Sequence, residues 1–288
     1  MTVKLTTLSF SGGKQSTCIL HMILNGDYKI DGPFIVLNAD PGMENSTSYE
    51  IVSDMEKRCQ AKNIPFIRVK RNLYQELIDL KTTPLKPTQN HKRFDNPPYW
   101  TKNPVTGKMG RLRQKCTNAY KITPMNQAIR DWMEKNLGIK RNNTRIGEKV
   151  VETLIGFSND EWLRIKEAGR KFLSFKYPLI EKKMGEKEIL AYYNKYGLRV
   201  PQRSVCNACF ANDVATLKRM FQDRPHDWEQ ACKIDDVVRD LKCIGVNEEV
   251  YVSSTLIPLR KLAEMNFILP KEVKEKADDK CHSGYCFV

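Results

Sequence analysis

The chain has 288 residues, 41% of them hydrophobic and 28% charged, enough for one large α/β domain or a core domain with a smaller appendage. A chain of this length buries enough surface to fold without disulfides or a structural metal, and no apolar run reaches the roughly 18 residues of a membrane span. Its 48 Lys and Arg against 34 Asp and Glu leave a net charge of +14, which excludes an acidic character and favours phosphorylated or polyanionic partners, or simply a solvated basic surface.

The first residues run directly into a strand-like pattern with no leader character, so a cytoplasmic protein is expected. Residues 3–10 read as a short strand of β-branched and apolar side chains, ended by Gly12-Gly13. Residues 16–24 carry Ile19, Leu20, Ile23 and Leu24 at helical spacing, and Asn25-Gly26 stops them. A buried strand over 33–38, a polar amphipathic helix over 44–63 and a third strand over 65–69 follow. This alternation predicts a parallel sheet with right-handed crossovers. Ligands of such sheets sit beyond the carboxyl ends of the strands, where residues 11–17 and 40–44 both lie.

Residues 81–115 break the alternation, with five prolines, nine Lys or Arg and a single acid, Asp95, among which Phe94, Tyr99 and Trp100 are interleaved. The stretch reads as irregular: a substrate lid, a nucleic-acid contact or an ordinary surface loop. A helix over 123–135 starts with Pro124 at a tolerated first-turn position. Residues 149–157 read as a fourth strand, and Ser158 with Glu161 is a capping-box signal for the helix after it. The character changes past Gly197, and a soft boundary is placed near residue 196. Beyond it, 201–210 is a loop, 214–222 and 228–241 are helical, and 277–288 form a polar tail.

The first loop carries the strongest chemistry. A strand leading through Ser11-Gly12-Gly13 into a helix presents backbone N–H groups at the helix N-terminus, and the glycines permit close approach and positive φ. Lys14 adds a cation, and Ser11, Ser16 and Thr17 add hydroxyls, which makes the loop a phosphate cradle. It is not a Walker A loop, because Leu8 stands where that pattern has its first glycine.

The segment Phe10-Ser11-Gly12-Gly13-Lys14-Gln15-Ser16-Thr17 resembles the PP-loop of the adenine nucleotide α-hydrolase superfamily. Asn38-Ala39-Asp40-Pro41-Gly42-Met43-Glu44, Gln114-Lys115-Cys116-Thr117 before Tyr120-Lys121-Ile122, Ile155-Gly156-Phe157-Ser158-Asn159-Asp160-Glu161, Tyr177-Pro178-Leu179-Ile180 and Arg203-Ser204-Val205-Cys206-Asn207-Ala208-Cys209 are similar, in that order, to its phosphoadenosine phosphosulfate (PAPS) reductase-like branch. The resemblance implies a HUP/Rossmann-like α/β fold: a parallel sheet flanked by helices over 1–196, which binds nucleotide, and a smaller, mainly helical, cysteine-containing region over 197–288. It implies cleavage of ATP between the α and β phosphates to adenylate a substrate, with sulfur insertion into a nucleobase or nucleic acid as one outcome. The alternatives are a PAPS or adenylyl-sulfate reductase using a C-terminal cysteine, and a non-catalytic nucleotide- or nucleic-acid-binding protein. Two positions depart from the family: Gln15 replaces the usual loop aspartate, and the tail reads Lys280-Cys281-His282-Ser283.

The expected site follows. Lys14 and Asp40 are candidate catalytic groups, with Cys281 as the nucleophile of the reductase alternative. Ser11, Gly12, Gly13, Lys14, Gln15, Ser16, Thr17, Asn38, Asp40, Gly156, Arg111 and Lys121 are candidates to bind ATP, with Arg113 as a further phosphate contact. Mg²⁺ is the expected ion, held by Asp40 or by Asp160 with Glu161, since it prefers oxygen ligands and substrate phosphates. Of nine cysteines, Cys18, Cys59, Cys232 and Cys243 suit core packing. Cys206 and Cys209 form a CxxC that, with Cys281 and Cys286 and with Cys116 as a possible substitute, suits an iron–sulfur cluster or Zn²⁺; a redox or sulfur-relay pair is the rival. The four histidines show no ligand spacing. A nucleotide substrate and a nucleic acid are the expected partners, a membrane is not, and the sequence carries no signal for oligomeric state.

Overall fold

The computed structural model describes residues 3–82, 92, 94–140, 149–273 and 275. Strand β1 (Leu5–Ser9) runs into helix α1 (Lys14–Asn25), which stops at Gly26, whose φ of 82° is left-handed and whose N–H caps Ile23. β2 (Phe34–Asp40) leads to α2 (Ser46–Gln60), capped by the Asn45 side chain on the Ser48 N–H at 2.8 Å. β3 (Phe66–Lys70) and a short α3 (Leu73–Ile78) complete the first half.

A hairpin follows, β4 (Trp100–Lys102) and β5 (Met109–Arg111), inside the stretch expected to be irregular. That expectation is corrected: three-residue strands show no readable alternation, and β4 is held from far away by antiparallel pairing to β8 (Glu249–Tyr251). A π-helical turn (Asn118–Ile122) runs into α4 (Thr123–Leu137), so this helix begins a turn earlier than Pro124 suggests. β6 (Val151–Leu154), a 3₁₀ turn (Asn159–Arg164) and β7 (Leu173–Lys176) come next. After them lie α5 (Pro178–Glu181), α6 (Glu186–Lys195), α7 (Val214–Asp223), α8 (Pro225–Val238) and α9 (Leu259–Glu264).

The main sheet has the order β3-β2-β1-β6-β7, every pair parallel, which is the expected Rossmann-like architecture. One face packs on α1, α2, α5 and α6 through Ile19, Leu20, Val52, Met55, Leu179 and Tyr193; the other packs on α4 through Ile35, Leu37, Ile129 and Met133. Fully buried side chains of this kind stabilise by roughly 1.5–3 kcal/mol each.

A separate core joins Met43, Leu73, Tyr99, Trp100 and Tyr120 to Phe210, Leu217, Trp228, Ile234 and Leu259. Residues on both sides of position 196 therefore share this core. A backbone clamp reinforces it: Asn45 N–H donates to Val205 O at 3.2 Å and Asn207 N–H to Met43 O at 2.8 Å, while Ser46 N–H and Oγ donate to Asp227 at 3.0 Å each. Among the described residues no helix is long and apolar enough to cross a membrane.

Candidate nucleotide site

The loop between β1 and α1 is braced from within. Gly13 N–H donates to Ser11 Oγ at 3.3 Å, Ser11 N–H to Ser16 Oγ at 3.3 Å, and Ser16 Oγ to Gly13 O at 3.2 Å. Gly12 adopts a φ of 75°, and a Cβ there would lie 3.1 Å from Ser48 O and from Val52 Cγ2, so glycine is required on both grounds. Gly156, just past β6, sits behind the first turn of α1: a Cβ would be 2.9 Å from Ser16 N and 3.2 Å from Ser16 Cα. The helix N-terminus is thus fixed from the side, with its first-turn N–H groups facing a cleft.

Two hollows meet at this point and share Ser9, Ser11 and Ile155. The loop-side cleft, about 640 Å³, is lined by the loop itself with Arg164, Arg203, Arg219 and Arg224, against Glu161, Asp213 and Asp223. The larger chamber, about 840 Å³, has an apolar wall from Ile122, Met125, Ile129, Leu173 and Phe175. Its lining also carries Arg111, Arg113, Lys121, Lys166 and Arg170, with Glu44 and Glu167 as the acids. Apolar side chains together with several cations suit a molecule with a flat base and phosphates.

Sequence-selected residues divide between these surfaces and the scaffold behind them. Ser11, Gly13, Lys14, Gln15, Ser16 and Gly156 line the loop-side cleft; Arg111 and Lys121 line the larger chamber, together with Ser11. Gly12, Thr17, Asn38 and Asp40 line neither. Asn38 is buried and donates to Phe10 O at 2.9 Å, tying β2 to the end of β1. Asp40 Oδ1 accepts from Gly42 N–H at 2.8 Å and Tyr49 Oη at 2.7 Å, shaping the turn after β2. Asn38 and Asp40 thus brace the strand ends around the loop.

The carboxylates expected to hold Mg²⁺ have other partners. Asp160 accepts from Glu186 N–H at 2.6 Å, and Glu161 pairs with Arg164 and accepts from Gln15 Nε2 at 3.4 Å. Gln15 thus meets a carboxylate supplied by the 3₁₀ turn, while Ser158 N–H closes one arm of the expected capping box on Glu161 at 3.3 Å. These side chains do not form a ready oxygen cage, so an ion here would rely on substrate phosphates and water.

Sequence reading missed Glu186, which starts α6 and ion-pairs with Lys14, and Arg164, which stacks over Phe157 at 4.3 Å. Neither carries a local signal, because each reaches the loop from a distant element. Buried Glu44 accepts from Lys121 Nζ at 2.7 Å and from Ser204 Oγ at 3.2 Å, and the Cys206 thiol donates to it at 3.7 Å.

Cys116, Cys206 and Cys209 line one small cavity of about 60 Å³, whose wall shares Gln114, Thr117 and Lys121 with the larger chamber. Burial, then the nearby Glu44, pushes the Cys206 thiol well above the usual thiol range. Among the described residues no three Cys, His, Asp or Glu side chains converge on a point that a single metal ion could occupy. Cys281 and Cys286 lie outside the described residues. Glu275 accepts from Val214 N–H at 2.7 Å, beside Asp213 and Thr216 of the loop-side cleft. Cys18, Cys59 and Cys232 are fully buried, with thiols pushed up by burial to about 12, 11 and 12, as packing residues would be; Cys243 is half-buried against the same core as Cys232.

No curated protein matches the chain. Among solved structures, the U34-tRNA thiolase NcsA from Methanococcus maripaludis with its 4Fe-4S cluster is 13% identical, with 94% of this chain and 83% of that chain covered and a TM-score of 0.39. The NH3-dependent NAD synthetase from Campylobacter jejuni subsp. jejuni NCTC 11168 in complex with the nitrate ion is 11% identical, with 94% and 90% covered and a TM-score of 0.32. The model of the phosphoadenosine phosphosulfate reductase domain matches residues 6–153, more than half of the sequence, and the chain belongs to that family.

Proposed function

We propose that the protein binds ATP and cleaves it between the α and β phosphates to adenylate an acceptor. The observation that carries this reading is the braced loop, with Lys14 and the α1 N-terminus opening on a cleft continuous with a larger, cation-lined chamber. An acceptor oxygen attacks the α phosphorus, and pyrophosphate leaves along the loop. Loop N–H groups and Lys14 hold the charge that grows on the leaving group, an interaction stronger in the transition state than before it. Sulfide then displaces the adenylated oxygen and releases AMP, which leaves a thiolated acceptor. The basic second chamber supports a nucleobase or nucleic acid as that acceptor.

Cys116, Cys206 and Cys209, completed by Cys281 or Cys286, are the residues that would hold an iron–sulfur cluster. Such a cluster would supply electron transfer or an iron that holds sulfide. Pyrophosphate release from ATP with a tRNA, DNA or nucleotide acceptor tests the proposal, and Lys14→Ala is expected to lower it by about 100-fold or more. Nucleic-acid binding without turnover, unaffected by Lys14→Ala, would leave a binding protein instead. The second reading, sulfonucleotide reduction, is favoured by the match to the phosphoadenosine phosphosulfate reductase domain. Sulfite formed from PAPS with no pyrophosphate from ATP would establish it.

A further inference from the structure

We propose that the 3₁₀ turn after β6, with Trp162 at its centre, is a docking rim on which an unpaired stretch of nucleic acid stacks a base beside the larger chamber. The inference rests on the reading of a nucleic acid as acceptor given above. Trp162 is 59% exposed, Leu163 79% and Ile165 47%. Single exposed apolar side chains are ordinary, but three within four positions form a patch of the kind that marks an interaction surface.

The fold holds this patch out on a braced support. Ser158 N–H and Arg164 both bind Glu161, and the Arg164 guanidinium lies 4.3 Å over the Phe157 ring. Ile165 N–H donates to Trp162 O at 3.1 Å and closes the turn between them. The far end is pinned by Tyr177, whose hydroxyl donates to Lys166 O at 2.8 Å and accepts from Lys166 N–H at 3.2 Å. Phe157 and Tyr177 stack on each other at 5.7 Å, so both anchors share one aromatic base. A surface held in this way loses little freedom when a partner settles on it.

Its place and its charge identify the partner. Glu161 and Arg164 line the loop-side cleft and Lys166, Glu167 and Arg170 the larger chamber, whereas Trp162, Leu163 and Ile165 line neither. The segment thus runs from one hollow to the other, with its apolar side chains in solvent between them. Lys166, Arg170 and Lys171 follow the patch against the single acid Glu167, and Arg111 and Arg113 line the chamber beyond. An aromatic ring beside cations suits a single strand, whose bases stack on the ring while its phosphates meet the positive groups. A duplex hides its base faces and gains only the second interaction. A second copy of the chain is disfavoured, because each copy carries +14 and three side chains fall far short of the about 20–30 residues per side of a stable interface.

The test uses the full chain with a single-stranded RNA, a DNA of the same sequence and the corresponding blunt DNA duplex, read by calorimetric titration and tryptophan emission. Of the four tryptophans, Trp162 is exposed, Trp132 half-buried and Trp100 and Trp228 buried, so acrylamide reaches Trp162 first. Stacking does not read the sugar, so both single strands are expected to bind alike, more tightly than the duplex, and to quench Trp162. Trp162→Ala, with Tm as the check on folding, should bind single strands about 10-fold more weakly or worse. Trp162→Phe keeps a ring and should stay within about three-fold, binding without the quench. Wild-type single-strand affinity in a folded Trp162→Ala overturns the rim and leaves the nucleic-acid acceptor standing. A wild type that binds no strand overturns both, and pyrophosphate release from ATP with a nucleotide acceptor then decides adenylation separately. Shielding of Trp162 from acrylamide in the free protein, or emission that changes with protein concentration alone, assigns the patch to the chain itself or to a second copy and overturns the proposal. If Trp162→Ala folds poorly, the difference in emission between wild type and Trp162→Phe decides: a quenched Trp162 supports the rim and an unquenched one refutes it.

Discussion

Replacing Gly156 by alanine tests how tightly the nucleotide loop depends on its neighbour strand. The added Cβ would lie 2.9 Å from Ser16 N, 3.2 Å from Ser16 Cα and 3.3 Å from Gln15 C, all backbone atoms that no rotamer change can move. Ordinary contact begins near 3.4 Å, so the first turn of α1 must shift by about half an ångström. Overpacking of this kind costs about 1–3 kcal/mol. In a domain of this size that lowers Tm by about 2–10 °C. The shift also re-aims the N–H groups of Lys14 to Ser16, so ATP affinity should fall together with Tm. Gly169→Ala is the control for Tm alone, since nothing lies within 4 Å of its added Cβ. Thermal melts with and without ATP, together with calorimetric titration, read both effects. A Gly156→Ala protein with wild-type Tm and wild-type ATP affinity would refute the reasoning.

Two further predictions concern charged groups. Lys14 must leave Glu186 to reach a phosphate, and both side chains are partly exposed, so the pair contributes about 0.2–1 kcal/mol. Glu186→Gln should therefore tighten ATP binding by about two- to five-fold at low salt and by less at high salt; weaker binding would mean that Glu186 positions the lysine instead of competing for it. His21 is buried against Tyr193, and burial, then Arg58, lowers it from 6.5 to about 4. The unfolded chain takes up this proton first as pH falls, so stability present above pH 6.5 is lost between about 6.5 and 4, at roughly 1.4 kcal/mol per pH unit. His21→Phe should flatten that part of a urea-denaturation series, and an unchanged slope would exclude His21 as its source.

Periodicity located the elements whose signal is local. The strands at 5–9, 34–40 and 66–70 and the helices at 14–25, 46–60 and 214–223 fall within a few residues of their expected limits. In contrast, β4, β5 and β7 are only three or four residues long, and two of them owe their place to partners distant in sequence. The site divides in the same way. Ser11, Gly13, Lys14 and Ser16 were legible because a strand–glycine–helix junction has few other uses. Gly156 was legible through its motif, although its physical reason is a steric contact with Ser16. Glu186 and Arg164 matter through what the fold brings beside them, which no local pattern encodes.

The pairing of Trp100 with Tyr251 also sets an order of assembly during synthesis. The five-stranded sheet has all its strands once Lys176 has been made, and it can form before the rest of the chain exists. The second core cannot, because about two thirds of its side chains lie between residues 206 and 267. At ribosomal speeds of about 5–20 residues per second, Trp100 waits roughly 8–30 seconds for Tyr251. The five-stranded sheet can thus form early, whereas the thiol cavity, lined by residues 203–211 as well as by earlier ones, closes after it.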